Sequence, residues 1–124
     1  MRERTGGCLC GAVRYVVRGE PTHVGRCHCG DCRKRTGSAF AIYGHWPRAR
    51  VVLDGPLAEY DGDSFCPTCG SRVGLIEDEN VEINLGTLDD PPFELIPEAE
   101  IWVKRREPWL PAVDGASQHE ENRH

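Results

Sequence analysis

The sequence lacks any long apolar segment. Its longest aliphatic or aromatic run covers only residues 39–43, whereas a helix that spans a bilayer needs about 20 apolar residues. The first thirty residues also lack the apolar stretch of a secretory signal. We therefore expect no membrane span and no export, and we predict a cytoplasmic protein in which cysteines stay reduced.

Large apolar side chains are also scarce, and acidic residues outnumber basic ones. Leu, Ile, Val and Phe together make up 26 of the 124 residues, close to the level of about 20% below which chains tend to be disordered. The formal net charge of −5 argues against sequence-independent binding to nucleic acid or anionic lipid, which needs a basic face. The length fits one domain, but its thin core needs a second source of stability.

Seven cysteines are the candidate for that source. The number is odd, so they cannot all pair in internal disulfides. A Cys-x-x-Cys pair alone can be a redox motif, but no thioredoxin-like βαβ pattern surrounds the pairs in this sequence. Metal binding is the better interpretation. The cysteines form three clusters, which are Cys8-Leu9-Cys10, Cys27-His28-Cys29-Gly30-Asp31-Cys32 and Cys66-Pro67-Thr68-Cys69.

Local geometry suits each cluster to a single ion. In an extended segment, Cys8 and Cys10 point to the same side. Pro67 presets a turn after Cys66, and Gly70 can take the positive φ that turns backbone N–H groups toward the sulfurs. The later pair is therefore predicted to form a zinc knuckle.

The seven cysteines divide naturally into four and three. A structural zinc has four protein ligands, whereas a catalytic zinc has three and one open position. The two outer pairs would supply four ligands and close a loop of nearly the whole domain, which leaves three in the middle cluster. Other pairings also add up to four, and a second structural zinc completed by His28 is a further alternative. Because His28 alternates with Cys27 and Cys29, we expect its side chain to point away from theirs.

Short β-rich segments separated by Gly and Pro predict a mainly antiparallel, all-β domain over residues 1–112. One short helix is predicted over residues 29–36, with Gly37 at its C-terminal end. Residues 113–124 are polar and are predicted to form a frayed tail, with His119 and His124 in solvent. The predicted strands cover residues 12–18, 23–27, 38–43, 50–53, 57–60, 71–76, 80–85 and 100–105.

Four segments, residues 7–15, 27–40, 65–71 and 85–91, carry a family resemblance. Their sequences are GCLCGAVRY, CHCGDCRKRTGSAF, FCPTCGS and LGTLDDP. Together they resemble the glutathione-dependent formaldehyde-activating enzyme family, also called the CENP-V/GFA domain, over roughly residues 5–112. The sequence differs from the family pattern at Glu100, where the family often has His, and in residues 61–64.

The resemblance implies an Mss4-like fold, which is an antiparallel β fold stapled by zinc with one short helix. It also implies the division of the cysteines into four and three, and hence two zinc ions per chain. The structural zinc would be held by Cys8, Cys10, Cys66 and Cys69. The catalytic zinc would be held by Cys27, Cys29 and Cys32.

The implied activity is that of a carbon–sulfur lyase or synthase acting on a glutathione–aldehyde adduct such as S-hydroxymethylglutathione. Zinc on three thiolates suits this role because it favours the thiolate of an incoming thiol, and the thiolate is the nucleophile. A non-catalytic carrier of glutathione or its adduct is one alternative, and a zinc-stapled interaction module is another. A methionine sulfoxide reductase is disfavoured, since every cysteine already has a place in a metal cluster.

The substrate is expected to contact the region after the middle cluster. Glutathione carries two carboxylates, and the densest basic group beside a metal motif begins at Arg33. A solvated basic face that offsets the anionic cluster explains the same residues equally well, and Thr36 and Gly37 also suit a helix end. Trp109 is the predicted aromatic contact. The predicted substrate-binding residues are Arg33, Lys34, Thr36, Gly37, Ser38 and Trp109.

Overall fold

The computed structural model describes residues 1–123. His124, predicted to lie in solvent, is outside the described residues. The strands are β1 Glu3–Gly7, β2 Arg14–Arg18, β3 His23–Cys27, β4 Ala41–Pro47, β5 Val51–Asp54, β6 Ala58–Tyr60, β7 Asp63–Phe65, β8 Arg72–Ile76, β9 Asn80–Asn84, β10 Ala99–Ile101 and β11 Ser117–Gln118. The helix α1 is Gly30–Thr36, and single 3₁₀ turns are formed by Arg48–Arg50, Leu85–Thr87 and Val103–Arg105.

The strands form two sheets. The smaller has the order β1-β2-β5, and the larger has the order β11-β10-β3-β4-β9-β8-β7-β6. Pairing is antiparallel except that β10 runs parallel to both β3 and β11. The predicted all-β, mainly antiparallel class with one short helix is thus confirmed. Within residues 1–123, no helix is long and apolar enough to cross a membrane.

One apolar core joins the two sheets. Tyr15 from the small sheet belongs to the same buried cluster as Trp46 and Ile83 from the large sheet. Side chains of β2 alternate between this core and the outer face of the sheet, whereas all five residues of β3 are buried. Cys8 and Cys66 are also part of this cluster, and therefore the outer cysteine pairs lie against the core itself.

The helix closely follows the prediction. Cys29 has extended backbone angles and accepts a hydrogen bond from the Cys32 N–H, as an N-cap residue does. Gly37 ends the helix with φ of 70°, and its N–H donates to the Arg33 carbonyl. A side chain at this left-handed position would be strained, so glycine explains why the helix stops here.

The segment predicted as a strand over residues 100–105 changes course midway. β10 ends at Ile101, Trp102 has φ of 57°, and a 3₁₀ turn follows over Val103–Arg105. A positive φ is uncommon for a residue other than glycine. The strand therefore stops because its backbone reverses at Trp102, which composition does not indicate.

The C-terminal segment differs from the frayed tail that the sequence predicts. β11 pairs with β10, and the His119 N–H donates to the Glu100 carbonyl at 2.9 Å. The Gln118 amide donates to the Glu100 carboxylate at 2.9 Å. Segment 117–122 thus docks through backbone pairing and one buried carboxylate, and this docking needs no apolar side chains.

Candidate metal centres and the adjoining clefts

The four outer cysteines form one cluster, with all four sulfur atoms within 4.8 Å of one another. The Cys8 and Cys10 sulfurs are 3.6 Å apart, and those of Cys10 and Cys66 are 3.7 Å apart. A tetrahedral zinc with Zn–S distances of about 2.3 Å places its sulfurs about 3.8 Å apart. The arrangement and the donor set therefore fit a structural zinc site.

The later pair of this cluster lies on a tight turn, as the sequence predicts. The Gly70 N–H donates to the Cys66 carbonyl at 2.8 Å, and the Thr68 N–H faces the Cys66 sulfur at 3.4 Å. Gly70 has φ of 77°. Because glycine tolerates this angle, the chain can fold back at once after Cys69.

The earlier pair lies on a turn, and the predicted extended segment is wrong here. β1 ends at Gly7, and the Gly11 N–H then donates to the Cys8 carbonyl at 3.2 Å. The Val13 N–H donates to the Cys8 sulfur at 3.2 Å. Both pairs thus present sulfur from a turn in which backbone N–H groups stabilise thiolate.

The close approach of the four thiols gives them different pKa values. Hydrogen bonds from the hydroxyl and backbone N–H of Ser71 lower the pKa of Cys69 to about 5. The Ala12 N–H lowers the pKa of Cys10, but the neighbouring sulfurs, first that of Cys8, outweigh it and raise the pKa to about 11. Four adjacent thiolates would repel one another, so the thiols cannot all lose their protons without a counter-charge. A divalent cation bound between them supplies that charge.

The middle cysteines form a second cluster, whose three sulfurs also lie within 4.8 Å of one another. Cys27 ends β3 and is buried, whereas Cys29 and Cys32 at the start of α1 are half-buried. The proximity of Cys27 and burial raise the pKa of Cys32 far above that of an ordinary thiol. Three protein ligands with a partly open side match the coordination of a catalytic zinc, which has three protein ligands and one open position.

His28 lies outside this sulfur cluster. Its ring is fully buried, and Nε2 is 2.7 Å from Oε1 of Glu100, whereas Nδ1 has no partner within residues 1–123. Burial lowers the pKa of His28 most, and the Glu100 carboxylate opposes that shift. His28 therefore ties the cysteine segment to β10 through a carboxylate.

Glu100 is the centre of a buried polar network. Its carboxylate accepts hydrogen bonds from Arg26 Nε at 2.6 Å, the Val113 N–H at 2.8 Å and Gln118. Burial alone would raise the pKa of Glu100, but these hydrogen bonds and that of His28 outweigh it and lower the pKa to about 2. One ionised carboxylate thus joins β3, β10 and the C-terminal segment.

A cleft of about 610 Å³ opens beside the three-cysteine cluster. We call it the Cys29 cleft. Its walls come from the start of α1 and from the turn that follows β10. The lining residues are Cys29, Gly30, Asp31, Arg33, Trp102 and Arg105.

A second cleft of about 530 Å³ lies at the C-terminal end of α1, beside the Cys66–Cys69 turn. Thr36, Ser38 and Phe40 line one part of it, and Arg72 and Asn84 line another. The Arg72 guanidinium forms an ion pair with the Asp63 carboxylate and donates to the side-chain oxygen Oδ1 of Asn84 at 2.8 Å. Arg72 is therefore already neutralised in this cleft.

The two predicted basic contacts differ in their surroundings. Arg33 lines the Cys29 cleft, but its guanidinium donates to the Arg105 carbonyl at 2.9 Å and to the Glu107 carboxylate at 3.1 Å. Lys34 is exposed and lines neither cleft. Arg105 was not predicted as a contact, although it forms a basic stretch with Lys104 and Arg106 at the end of the last predicted strand.

The three predicted contacts after the basic group lie at the helix end. The Thr36 hydroxyl donates to the Cys32 carbonyl at 2.8 Å and accepts from the Ser38 N–H at 3.1 Å. Gly37 ends α1, and Thr36 and Ser38 line the second cleft. Their observed contacts are those of a helix cap, and their roles toward substrate stay predictions.

The three tryptophans occupy different environments. Trp46 is fully buried in the core, whereas Trp109 is 71% exposed and lines neither cleft. Trp102 lies in the wall of the Cys29 cleft, and its indole N–H donates to the Asn122 side chain at 2.9 Å. Of the three tryptophans, Trp102 is thus the one that lines the cleft beside the cysteine cluster, and it follows a strand that ends earlier than predicted.

Comparisons with known proteins agree with this geometry. The family model described as glutathione-dependent formaldehyde-activating enzyme matches residues 3–105. The fold is similar to the crystal structure of a Rhodobacter sphaeroides protein, with 25% sequence identity and a TM-score of 0.55. That match covers 75% of this chain and 97% of the other. No curated protein matches the sequence.

Proposed function

Because the chain belongs to the glutathione-dependent formaldehyde-activating enzyme family, we propose that it is a carbon–sulfur lyase or synthase for a glutathione–aldehyde adduct. The observation that carries the proposal is the cluster of three cysteine sulfurs at the edge of an open cleft. Formaldehyde is the proposed aldehyde, and S-hydroxymethylglutathione is the proposed adduct.

In the proposed reaction, the thiol sulfur adds to the carbonyl carbon. A carbon–sulfur bond forms, the thiol loses its proton, and the carbonyl oxygen gains one. The reverse reaction breaks the same bond and releases the aldehyde. Zinc at the three-cysteine cluster would supply an open position that favours the thiolate form of the incoming thiol.

The chain supplies a rigid base and an open side for this site. Cys27 is fixed at the end of a central strand of the large sheet, between β4 and β10. The Cys32 N–H donates to the Cys29 sulfur at 3.3 Å, which orients the Cys29 side chain. Since Cys29 itself lines the cleft, a bound thiol has access to the cluster from that side.

We propose that the four-cysteine cluster has a structural role. Its two pairs are 56 positions apart in the sequence, from Cys10 to Cys66, and Cys8 and Cys66 are buried in the core. Zinc there would add the stability that a thin core lacks. Two zinc ions per chain are expected.

A non-catalytic carrier is the second candidate function. Among the described residues that line the Cys29 cleft, there is no histidine or lysine to exchange a proton with the carbonyl oxygen. Glutathione and formaldehyde also combine without help, so that binding alone would use the same cluster. Rate enhancement separates the two functions.

The test is NMR exchange between glutathione and S-hydroxymethylglutathione in the presence of formaldehyde. Zinc-loaded protein is expected to accelerate the exchange, and the Cys32→Ser variant is expected to leave it at the uncatalysed rate. Binding of glutathione without acceleration would favour the carrier. If neither acceleration nor binding occurs, the proposed function is wrong.

A further inference from the structure

The Cys29 cleft contains one arginine, Arg105, that forms no ion pair within the described part of the chain. Of its two arginines, Arg33 is paired with Glu107, whereas the Arg105 guanidinium has no acidic partner among residues 1–123, although its neighbours do. The Arg105 side chain is exposed in the lining of the cleft. A guanidinium in this position is available for a carboxylate of a ligand.

We propose that Arg105 binds a carboxylate of the thiol substrate while the thiol group lies at Cys29. The inference deepens the proposed function and rests on it. Arg105 would determine which thiols the site accepts, and it would do so on the wall of the cleft opposite α1.

Arg33 holds this wall in place. Its guanidinium donates to the Arg105 carbonyl at 2.9 Å and to the Glu107 carboxylate at 3.1 Å. Both contacts reach from α1 to the segment after β10. Because Arg33 already has acceptors on that segment, it is a positioning residue, and Arg105 is left to meet the ligand.

The turn at Trp102 directs Arg105 into the cleft. Trp102 has φ of 57°, and the Arg105 N–H donates to the Trp102 carbonyl at 3.0 Å, which closes one 3₁₀ turn. A non-glycine residue in the left-handed region persists only where its surroundings hold it. Here the Trp102 indole ring also lines the cleft, so the same turn presents an aromatic face and a cation.

The C-terminal segment supplies the surroundings that hold this turn. The Trp102 N–H donates to the Glu121 carbonyl at 3.0 Å, and the Val103 N–H donates to the His119 carbonyl at 3.1 Å. The Asn122 side chain accepts from the Trp102 indole. These three residues lie beyond the matched residues 3–105, so this support for the cleft comes from outside the matched region.

The charges in the cleft favour a zwitterionic thiol. Asp31 lines the cleft beside Cys29, and within residues 1–123 it has no basic partner. An ammonium group would find an acceptor at Asp31, and a carboxylate would find a donor at Arg105. A thiol with an amino-acid end, such as the glutamyl end of glutathione, has both groups.

The test compares two thiols on the zinc-loaded, full-length protein by calorimetry. Arg105→Ala is expected to weaken glutathione binding about tenfold or more, since a charge-assisted hydrogen bond contributes about 1.5–3 kcal/mol. Binding of 2-mercaptoethanol, which has no carboxylate, should stay unchanged. Arg105→Lys should recover part of the glutathione affinity.

Arg18→Ala is the matched control, because Arg18 is an exposed arginine on β2 and pairs with Glu3. Equal weakening by Arg18→Ala and Arg105→Ala would indicate general electrostatics and overturn the inference. Glutathione binding that Arg105→Ala leaves unchanged would overturn the inference alone and leave the proposed function intact. Failure of the wild-type protein to bind glutathione would overturn both.

Discussion

The two cysteine clusters are built in opposite ways. The four-cysteine cluster joins two distant turns and includes Cys8 and Cys66 from the core. The three-cysteine cluster comes from six consecutive residues, and two of its sulfurs are half-buried beside a cleft. A metal on the first would close a loop over residues 8–69, which is half of the chain, whereas a metal on the second would restrict one short loop.

The comparison shows how one donor type serves two purposes. Closure by a fourth cysteine and burial suit a site to stability, and an open side suits it to ligand binding. The two clusters also differ in their neighbours, since the four-cysteine cluster is stabilised by N–H groups of its own turns, while the three-cysteine cluster adjoins the buried Glu100 network through His28.

The largest expected effect is the contrast between Cys66→Ser and Cys32→Ser. Structural zinc contributes about 10–16 kcal/mol to folding in small zinc domains, which is comparable to the whole stability of about 5–15 kcal/mol of a domain. Cys66→Ser should therefore unfold the protein, whereas Cys32→Ser should stay folded with one zinc fewer. Circular dichroism and metal analysis measure both. Equal loss of folding would indicate two structural sites.

A chelator should remove metal from the three-cysteine cluster before it removes metal from the four-cysteine cluster. The three-cysteine cluster leaves one coordination position through which a chelator can reach the metal, whereas four sulfurs close the other site, even though Cys10 there is exposed. During titration with a chelator, we expect the first zinc to leave without loss of β structure and the second to leave with unfolding. Metal release followed together with circular dichroism checks this order. Simultaneous release of both ions would contradict the comparison.

A smaller loss of stability is expected from Glu100→Gln. The variant keeps the shape of the side chain but leaves Arg26 without its carboxylate partner. Removing one partner of a buried ion pair lowers the free energy of unfolding by about 3–5 kcal/mol. Thermal unfolding at pH 7 measures the loss. Glu98→Gln, at a mostly exposed carboxylate, is the matched control and should change stability by less than about 1 kcal/mol.

The stability difference between the wild type and Glu100→Gln should depend on pH. Because folding lowers the pKa of Glu100 from 4.5 to about 2, its contribution is fully present above pH 4.5 and is lost as the pH falls toward 2. The difference in melting temperature between the wild type and Glu100→Gln should therefore shrink below pH 4.5. A constant difference down to pH 2 would show that ionisation of Glu100 does not stabilise the fold.

The clusters and α1 could be predicted from the sequence because their determinants are local. Cysteine spacing, Pro67, and the glycines at positions 37 and 70 specify turns and a helix end within a few residues. The wall of the Cys29 cleft could not be predicted, because it depends on a positive φ at Trp102 and on a segment docked by hydrogen bonds. The polar composition of residues 113–124 predicted a frayed tail. The segment instead docks through hydrogen bonds to the buried Glu100, and no apolar pattern in the sequence indicates such a contact.

The smallest effect is expected from Arg33→Ala. A partly exposed ion pair such as that with Glu107 contributes about 0–1 kcal/mol, but the same guanidinium also holds the Arg105 carbonyl. We therefore expect little change in melting temperature and a few-fold weaker glutathione binding, with the larger loss at low salt. Lys34→Ala, at an exposed position outside both clefts, is the control. If Lys34→Ala weakens binding as much as Arg33→Ala, the basic stretch acts as a diffuse charge and not through the wall of the cleft.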